Sequence, residues 1–384
     1  MLKKFLIAPG PTPVPAEVLL EIAKPVMHHR TAEFSAIFAE ARNGLKPLFG
    51  TSQDVIILLS SGTAAMEASI VNTLSQNDRI LVIDGGKFGE RWGSIAKKYG
   101  LTVDTLKYTW GESAKAADVE AHLNKFPDTK AVFIQGSETS TTVYHPLKEI
   151  AAVVRKFDNT IFVVDGITSV GVYDTKMDEW GIDIMLSGSQ KAFMLPPGLA
   201  FITLSQKAWK MTESSTLPKF YLNLATELKN QKKDTTAWTP GVNLIYGLTK
   251  SLQMMNEEGL ENIYKRHAIC AEATRKALTA LGLKLLAVDS PSNAATGVFM
   301  PEGIDAVKFE YYMREKVGIT FAGGQDDLKG KVIRVSHLGY HGLFDTITAI
   351  SAIEMGLKVF GYNVQLGKGV AACEEVFAAH LPKA

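Results

Sequence analysis

Apolar residues in the first half of this chain gather in short runs, at 55–60, 79–84, 102–108, 131–135, 161–165, 183–187 and 199–204. Most of these runs lack period-two alternation, as expected for strands covered on both faces of a parallel sheet. Segments with helical spacing near 64–74, 88–99, 115–125 and 147–157 supply the crossovers between them. One connection breaks the rhythm. Only Ala192 to Gly198 lie between Lys191, just past the sixth run, and the seventh, too few residues for a parallel crossover, so 199–204 is predicted to run antiparallel. The pattern predicts an α/β fold, a mostly parallel seven-stranded sheet with one antiparallel strand.

After Trp209 the pattern changes. Residues 229–236 are polar and read as a loop, and a long helical stretch follows from about 242 to 281. The remainder reads as a smaller α+β unit, with strands near 284–288, 297–300 and 332–336 and helices at 305–316 and 345–356. The expected division is an N-terminal segment at 1–15, a large domain at 16–260 and a small C-terminal domain at 261–384. A chain of 384 residues is long enough for two such cores.

Composition narrows the function classes. A net charge of +1 without long runs of one sign gives no electrostatic footprint for nucleic acid. The apolar stretch from Phe5 to Ala8 is too short for a signal peptide, and no run reaches membrane-spanning length. The two cysteines, Cys270 and Cys373, lie far apart and form no metal or redox spacing. A reducing, cytoplasmic setting is the expectation.

Two strand ends carry charge. Asp165 closes the run 161–165, and Lys191 follows the run 183–187 through Ser187-Gly188-Ser189-Gln190. Charge at the end of an interior strand is costly without a partner or a task. A structural ion pair would satisfy both ends, and so would a cofactor held between them. Pyridoxal phosphate fits the second case: a lysine carries it as a Schiff base and a carboxylate keeps its ring nitrogen protonated.

Other turns add candidates. Ser61-Gly62-Thr63 lies between a strand and a helix, where amides and hydroxyls would face an anion at the helix N-terminus, or simply cap the helix. A nicotinamide-binding turn would need G-x-G-x-x-G, and only one glycine is present. Phe88 follows the second strand at its C-terminal end, where it could stack on a flat ring or pack in the core. The hydroxyl cluster Glu138-Thr139-Ser140-Thr141-Thr142 suits a polar ligand or a capped turn. Arg334, inside the strand 332–336, suits a carboxylate, or an exposed edge. His337 and His341 have no third ligand in view and are read as non-metal residues. No serine sits in a G-x-S-x-G elbow.

Taken in order, these segments resemble a class V aminotransferase of the alanine–glyoxylate / serine–pyruvate type, a fold-type-I pyridoxal-phosphate enzyme. The likeness runs through Gly10-Pro11-Thr12-Pro13, His29-Arg30, Ser61-Gly62-Thr63, Gly89-Glu90-Arg91, Glu138-Thr139-Ser140-Thr141, Val164-Asp165, Ser187-Gly188-Ser189-Gln190-Lys191, Pro196-Pro197-Gly198 and Ile333-Arg334-Val335. The resemblance implies pyridoxal 5'-phosphate as cofactor, a Schiff base on Lys191 and a ring-nitrogen partner in Asp165. It implies stacking by Phe88, packing by Ile167 on the other ring face, and a bond from Thr139 near the ring's 3-oxygen. Ser61, Gly62, Thr63 and Gln190 would bind the phosphate, and Thr239 would reach the phosphate of a neighbouring subunit in a homodimer. Arg334 would bind the α-carboxylate of a small amino acid and of a 2-oxo acid such as glyoxylate or pyruvate.

Two positions depart from the family. Thr142 stands where glycine is usual, and Thr236 where some relatives carry tyrosine. Rival readings are a cysteine desulfurase, which would need a loop cysteine that is absent between Cys270 and Arg334, and a non-catalytic accessory protein that keeps the fold. Two isolated cysteines exclude a nickel–iron or iron–sulfur centre.

Overall fold

The computed structural model describes residues 3–382. Seven strands form the central sheet: β1 (Val55–Ser60), β2 (Arg79–Asp84), β3 (Thr102–Lys107), β4 (Ala131–Gln135), β5 (Ile161–Asp165), β6 (Ile184–Gly188) and β7 (Gly198–Leu204), in the order β1-β7-β6-β5-β4-β2-β3. β7 pairs antiparallel with both neighbours, and the remaining pairs are parallel. The predicted sheet, with its one reversed strand, is the observed one.

Alternate residues of each strand enter two different cores. Ile57, Leu81, Val132, Phe162, Met185 and Phe201 pack on one face, while Ile56, Ile80, Phe133, Val163, Leu186 and Ile202 pack on the other. Both faces of the sheet are dry, which is why apolar residues run without alternation. β3 lies at an edge, and each of its residues is half-exposed or exposed.

The region 229–236 differs from the loop expectation. A helix, Leu224–Gln231, opens it, capped by Asn223. The buried Gln231 side chain accepts from Ile57 N at 3.0 Å and donates to Ile57 O at 2.8 Å. Its amide imitates one residue of a missing strand at the open edge of β1, so a polar residue is buried for a backbone reason. The stretch 242–281 is two helices, Val242–Glu258 and Leu260–Ala280, broken at Gly259, whose φ of 82° lies in the left-handed region.

A second core gathers Ile7, Leu278, Phe309, Ile333, Ile353 and Cys373. Its three-stranded sheet places Val332–Ser336 between Ala295–Phe299 and Ala322–Gly323. The predicted strand 284–288 is absent; Leu285 makes only an isolated bridge to Val298. The predicted helix 305–316 is Ala306–Tyr312 followed by a π turn, Met313–Val317. Leu343–Val359 and Lys368–His380 complete the layer of helices. Phe5–Leu6 pairs in parallel with Ile319–Thr320, so the N-terminal segment is stitched to this second core. Among the described residues no helix is long and apolar enough to cross a membrane.

Candidate active site

The C-terminal ends of β4, β5 and β6 converge on one cavity of about 120 Å³. Its lining includes Ser61, Gly62, Thr63, Phe88, Asp165 and Lys191. The same wall holds Thr139, Ile167 and Gln190, so nearly the whole predicted set is gathered in one place.

Asp165 ends β5 and is buried. Its Oδ1 accepts from Ile167 N at 2.8 Å and its Oδ2 from Gln135 Nε2 at 2.9 Å. Burial pushes its carboxyl up to about 7 against the pull of these donors. A cation placed beside it would return it to carboxylate. That is the behaviour required of a group meant to hold a proton on a ring nitrogen.

Lys191 sits in the turn after β6, and Ser189 pins that turn by donating to Pro196 O and accepting from Leu199 N. The lysine Nζ donates to Pro9 O. Burial, then the nearby Arg334, lower its amine to about 8, while Asp165 opposes the shift. Residues 10–12 close over it: Thr12 Oγ1 donates to Lys191 O at 3.0 Å. A Cβ on Gly10, at a φ of +130°, would lie 1.9 Å from Nζ. Only glycine fits there.

The anion end is the start of the helix Gly62–Thr73. Ser61 occupies its N-cap position in extended backbone, yet its side chain makes no capping bond. The simple capping alternative therefore fails, and the hydroxyl is left for another acceptor. Thr63 Oγ1 accepts from Arg91 Nη1 at 3.1 Å. Gln190 Oε1 is buried without a hydrogen-bond partner. Gly62 lacks a side chain because Ile167 fills that space: a Cβ would meet Ile167 Cδ1 at 2.3 Å. Phe88 and Ile167 supply apolar lining for a flat ring, and hydroxyls with helix amides suit a phosphate. An acid, a lysine, an aromatic and an anion cradle in one small cavity fit pyridoxal phosphate.

Arg334 stands just behind. It is buried, with Nε donating to Gly323 O and Nη1 to Thr139 O, each at 2.9 Å. It is not an exposed edge arginine: Val332–Ser336 is the middle strand. Burial lowers its pKa, and Glu138 and Glu310 oppose this. Glu138, fully buried, accepts from Phe88 N, Gly89 N and both Ser140 N and Oγ. Thus one turn holds the Phe88 backbone through Glu138 and the Arg334 guanidinium through Thr139 O.

Thr142 has a φ of 56°, so the glycine-type turn is kept with a side chain present. Its Oγ1 accepts from Gly297 N at 3.1 Å, which offsets a left-handed cost of about 1–2 kcal/mol. Thr236 is buried and bonded to Trp238 O. Thr239 is the one predicted cofactor residue not brought into the cavity; it lines a separate outer groove with Met27, His29 and Asn243. His337 and His341 bind backbone carbonyls of Asn293, Leu338 and Leu6, and among the described residues no group of three or more potential ligands is placed to hold a metal.

Sequence reasoning gave no site role to Gln135, to the Pro9 carbonyl, or to Arg91, which it named only within Gly89-Glu90-Arg91. Gln135 was within reach, because it ends an interior strand with a polar group just as Asp165 does. Arg91 lies in a helix of ordinary amphipathic spacing, and a backbone carbonyl leaves no residue signal at all.

Comparisons with known proteins agree with the geometry. The sequence model described as Aminotransferase class-V matches residues 4–341. The chain is 44% identical over 379 residues to the soluble hydrogenase, small subunit, of Synechococcus sp. (strain PCC 6716), covering 98% of this chain and 99% of that protein. It is 36% identical over 379 residues to the L-aspartate–glyoxylate aminotransferase of Paracoccus denitrificans, covering 96% and 95%. Among solved structures, the ureidoglycine–glyoxylate aminotransferase of Bacillus subtilis superposes with a TM-score of 0.92 at 27% identity, covering 98% of this chain and 99% of that one.

Proposed function

The chain belongs to the class-V aminotransferases, and from that premise we propose that it moves an amino group from a small L-amino acid to a 2-oxo acid. Alanine, serine or aspartate is the donor class, and glyoxylate or pyruvate the acceptor class. The cofactor is pyridoxal 5'-phosphate. When bound, it supplies the electron sink that makes the substrate's α-proton removable.

The chain's own groups do the rest. Asp165 holds the proton on the ring nitrogen. Lys191, whose amine would carry the cofactor, would serve as the base that takes the proton from the substrate α-carbon and as the acid that gives it back. Arg334 receives the α-carboxylate and so sets which bond faces the lysine. Phe88 and Ile167 hold the ring plane, Thr139 its 3-oxygen side, and Ser61, Gly62, Thr63 and Gln190 the phosphate. The observation that carries this reading is the shared cavity of Asp165 and Lys191 with Arg334 close enough to depress the lysine's pKa.

A homodimer completes the proposal. Thr239 faces an outer groove, and beside it Tyr221 stacks on Trp238 and Phe220 packs tilted against it, an aromatic face with Phe220 78% exposed. A second copy covering that face would bring its Thr239 to the phosphate. The division at 16–260 and 261–384 is part of the same reading, supported by the separate core around Ile333 and Ile353. A cytoplasmic setting is supported by two free cysteines.

The accessory reading draws on the hydrogenase-subunit name of the Synechococcus relative. The intact Lys191, Asp165 and Arg334 favour catalysis. The test is to offer alanine, serine and aspartate singly to the purified protein and to follow the cofactor's visible band. Loss of the band with one donor, and its return with glyoxylate or pyruvate, is expected. A protein that never holds the supplied cofactor would support the accessory role.

A further inference from the structure

Arg91 has no role in the chemistry described so far, yet it lines the cavity. It makes two contacts inward. Its Nη1 donates to Thr63 Oγ1 at 3.1 Å, and its guanidinium lies over the Phe88 ring, 4.9 Å from the centroid. Its neighbour Glu90 is taken by Lys87 at 2.9 Å. Asp165, the carboxylate of the cavity, is bonded by Gln135 and Ile167 instead. The guanidinium is thus bonded to a hydroxyl and a ring, and acts on Asp165 only through its charge, which favours the carboxylate.

The direction of the Thr63 bond matters. Arginine is donor-only, so Thr63 Oγ1 must accept from it. The single hydroxyl hydrogen of Thr63 is then left to point elsewhere, into the anion end of the cavity. A threonine free of this partner could spend that hydrogen on a neighbouring carbonyl instead. Arg91 also places positive charge beside the helix N-terminus, where a phosphate dianion would rest after the ring nitrogen has paired with Asp165.

We propose that Arg91 is a positioning residue for the cofactor, setting the Thr63 hydroxyl as a phosphate donor and fixing the Phe88 ring. This rests on the cofactor assignment above. Arg91 acts through both neighbours, and the two effects differ in what they recognise: the Thr63 arm concerns the phosphate, the Phe88 arm the ring.

Affinity titrations on apo-protein separate these arms, with pyridoxal phosphate and phosphate-free pyridoxal as probes. Arg91→Leu is expected to weaken pyridoxal phosphate binding about tenfold or more, from loss of a charge-assisted arrangement. Pyridoxal should weaken by only about two- to fivefold, the fold-change of a cation–π contact worth about 0.5–1 kcal/mol at a part-exposed site. In a Thr63→Ala background the same substitution should cost much less, because the two residues act as a unit. Arg91→Lys keeps the charge and should recover part of the loss. Equal weakening of both probes, or additive losses in the double variant, would overturn the proposal. So would unchanged affinity in Arg91→Leu. A wild-type chain that binds neither probe would instead remove the cofactor assignment. The melting temperature of each apo variant checks that the fold is kept.

Discussion

Gln135 and Asp165 are register partners on adjacent parallel strands, and the amide of Gln135 donates to the carboxyl of Asp165 at 2.9 Å. The bond stabilises the ionised carboxyl against its burial. The glutamine, which also lines the cavity, belongs to the acid's function.

Gln135→Leu should therefore raise the pKa of Asp165 further and weaken cofactor binding. A buried bond to a charged group is worth about 1.5–3 kcal/mol, or tenfold and upward in affinity. The check is a titration of apo-protein with pyridoxal phosphate at several pH values. The deficit should grow as pH falls and Asp165 takes up a proton; a deficit independent of pH would count against the bond's electrostatic role.

Lys191 titrates near 8 in the free chain, and only its neutral amine can condense with an aldehyde. The rate of reconstitution with pyridoxal phosphate should rise with pH and level off just above 8. Stopped-flow absorbance measures it directly. A rate that climbs on past pH 10 would mean an ordinary, solvated lysine.

Arg334→Ala should raise KM for the amino acid and for the 2-oxo acid together, each by tens of fold, from the same 1.5–3 kcal/mol scale (about) for a charge-assisted pair. Arg334→Lys should fare little better, since the fork bonded to Gly323 O and Thr139 O has no counterpart in an ammonium. A change in one KM alone would argue against a shared carboxylate site.

His267 is held neutral. Its Nε2 accepts from Gly339 N at 3.1 Å, and its Nδ1 faces Ile263 O at 2.8 Å. Burial lowers its pKa to about 3 from 6.5. Between those values the unfolded chain binds more protons than the folded one, so this residue's contribution to stability declines as pH falls below 6.5. The melting temperature of wild type minus that of His267→Asn should shrink from pH 7 to pH 4.5. A constant difference would refute the linkage.

Much of the large sheet was legible because each strand feeds two cores and so reads as an unbroken apolar run. The reversal of β7 was legible for a purely geometric reason, the shortness of 192–198. The second core was read less well. Its strands are short, and the segment at 284–288 has the composition of a strand without a ladder to join. Gln231 was hidden because a polar residue buried to cap a strand edge looks like loop. At the site, charged residues at strand ends announced themselves. Arg91 did not, since its role depends on which way a helix face turns. Thr239 is a different case, because the place proposed for it lies in another chain.

The stitching of Phe5–Leu6 to Ile319–Thr320 also bears on how the protein comes into being. The carbonyl of Pro9 and the backbone of Gly10 that surround Lys191 leave the ribosome long before the strand that anchors them. At about 5–20 residues per second, Phe5 waits about 15–60 s for Ile319. The wall around the lysine is therefore anchored only once Ile319–Thr320 has been made, and a chain cut before that strand lacks the anchor.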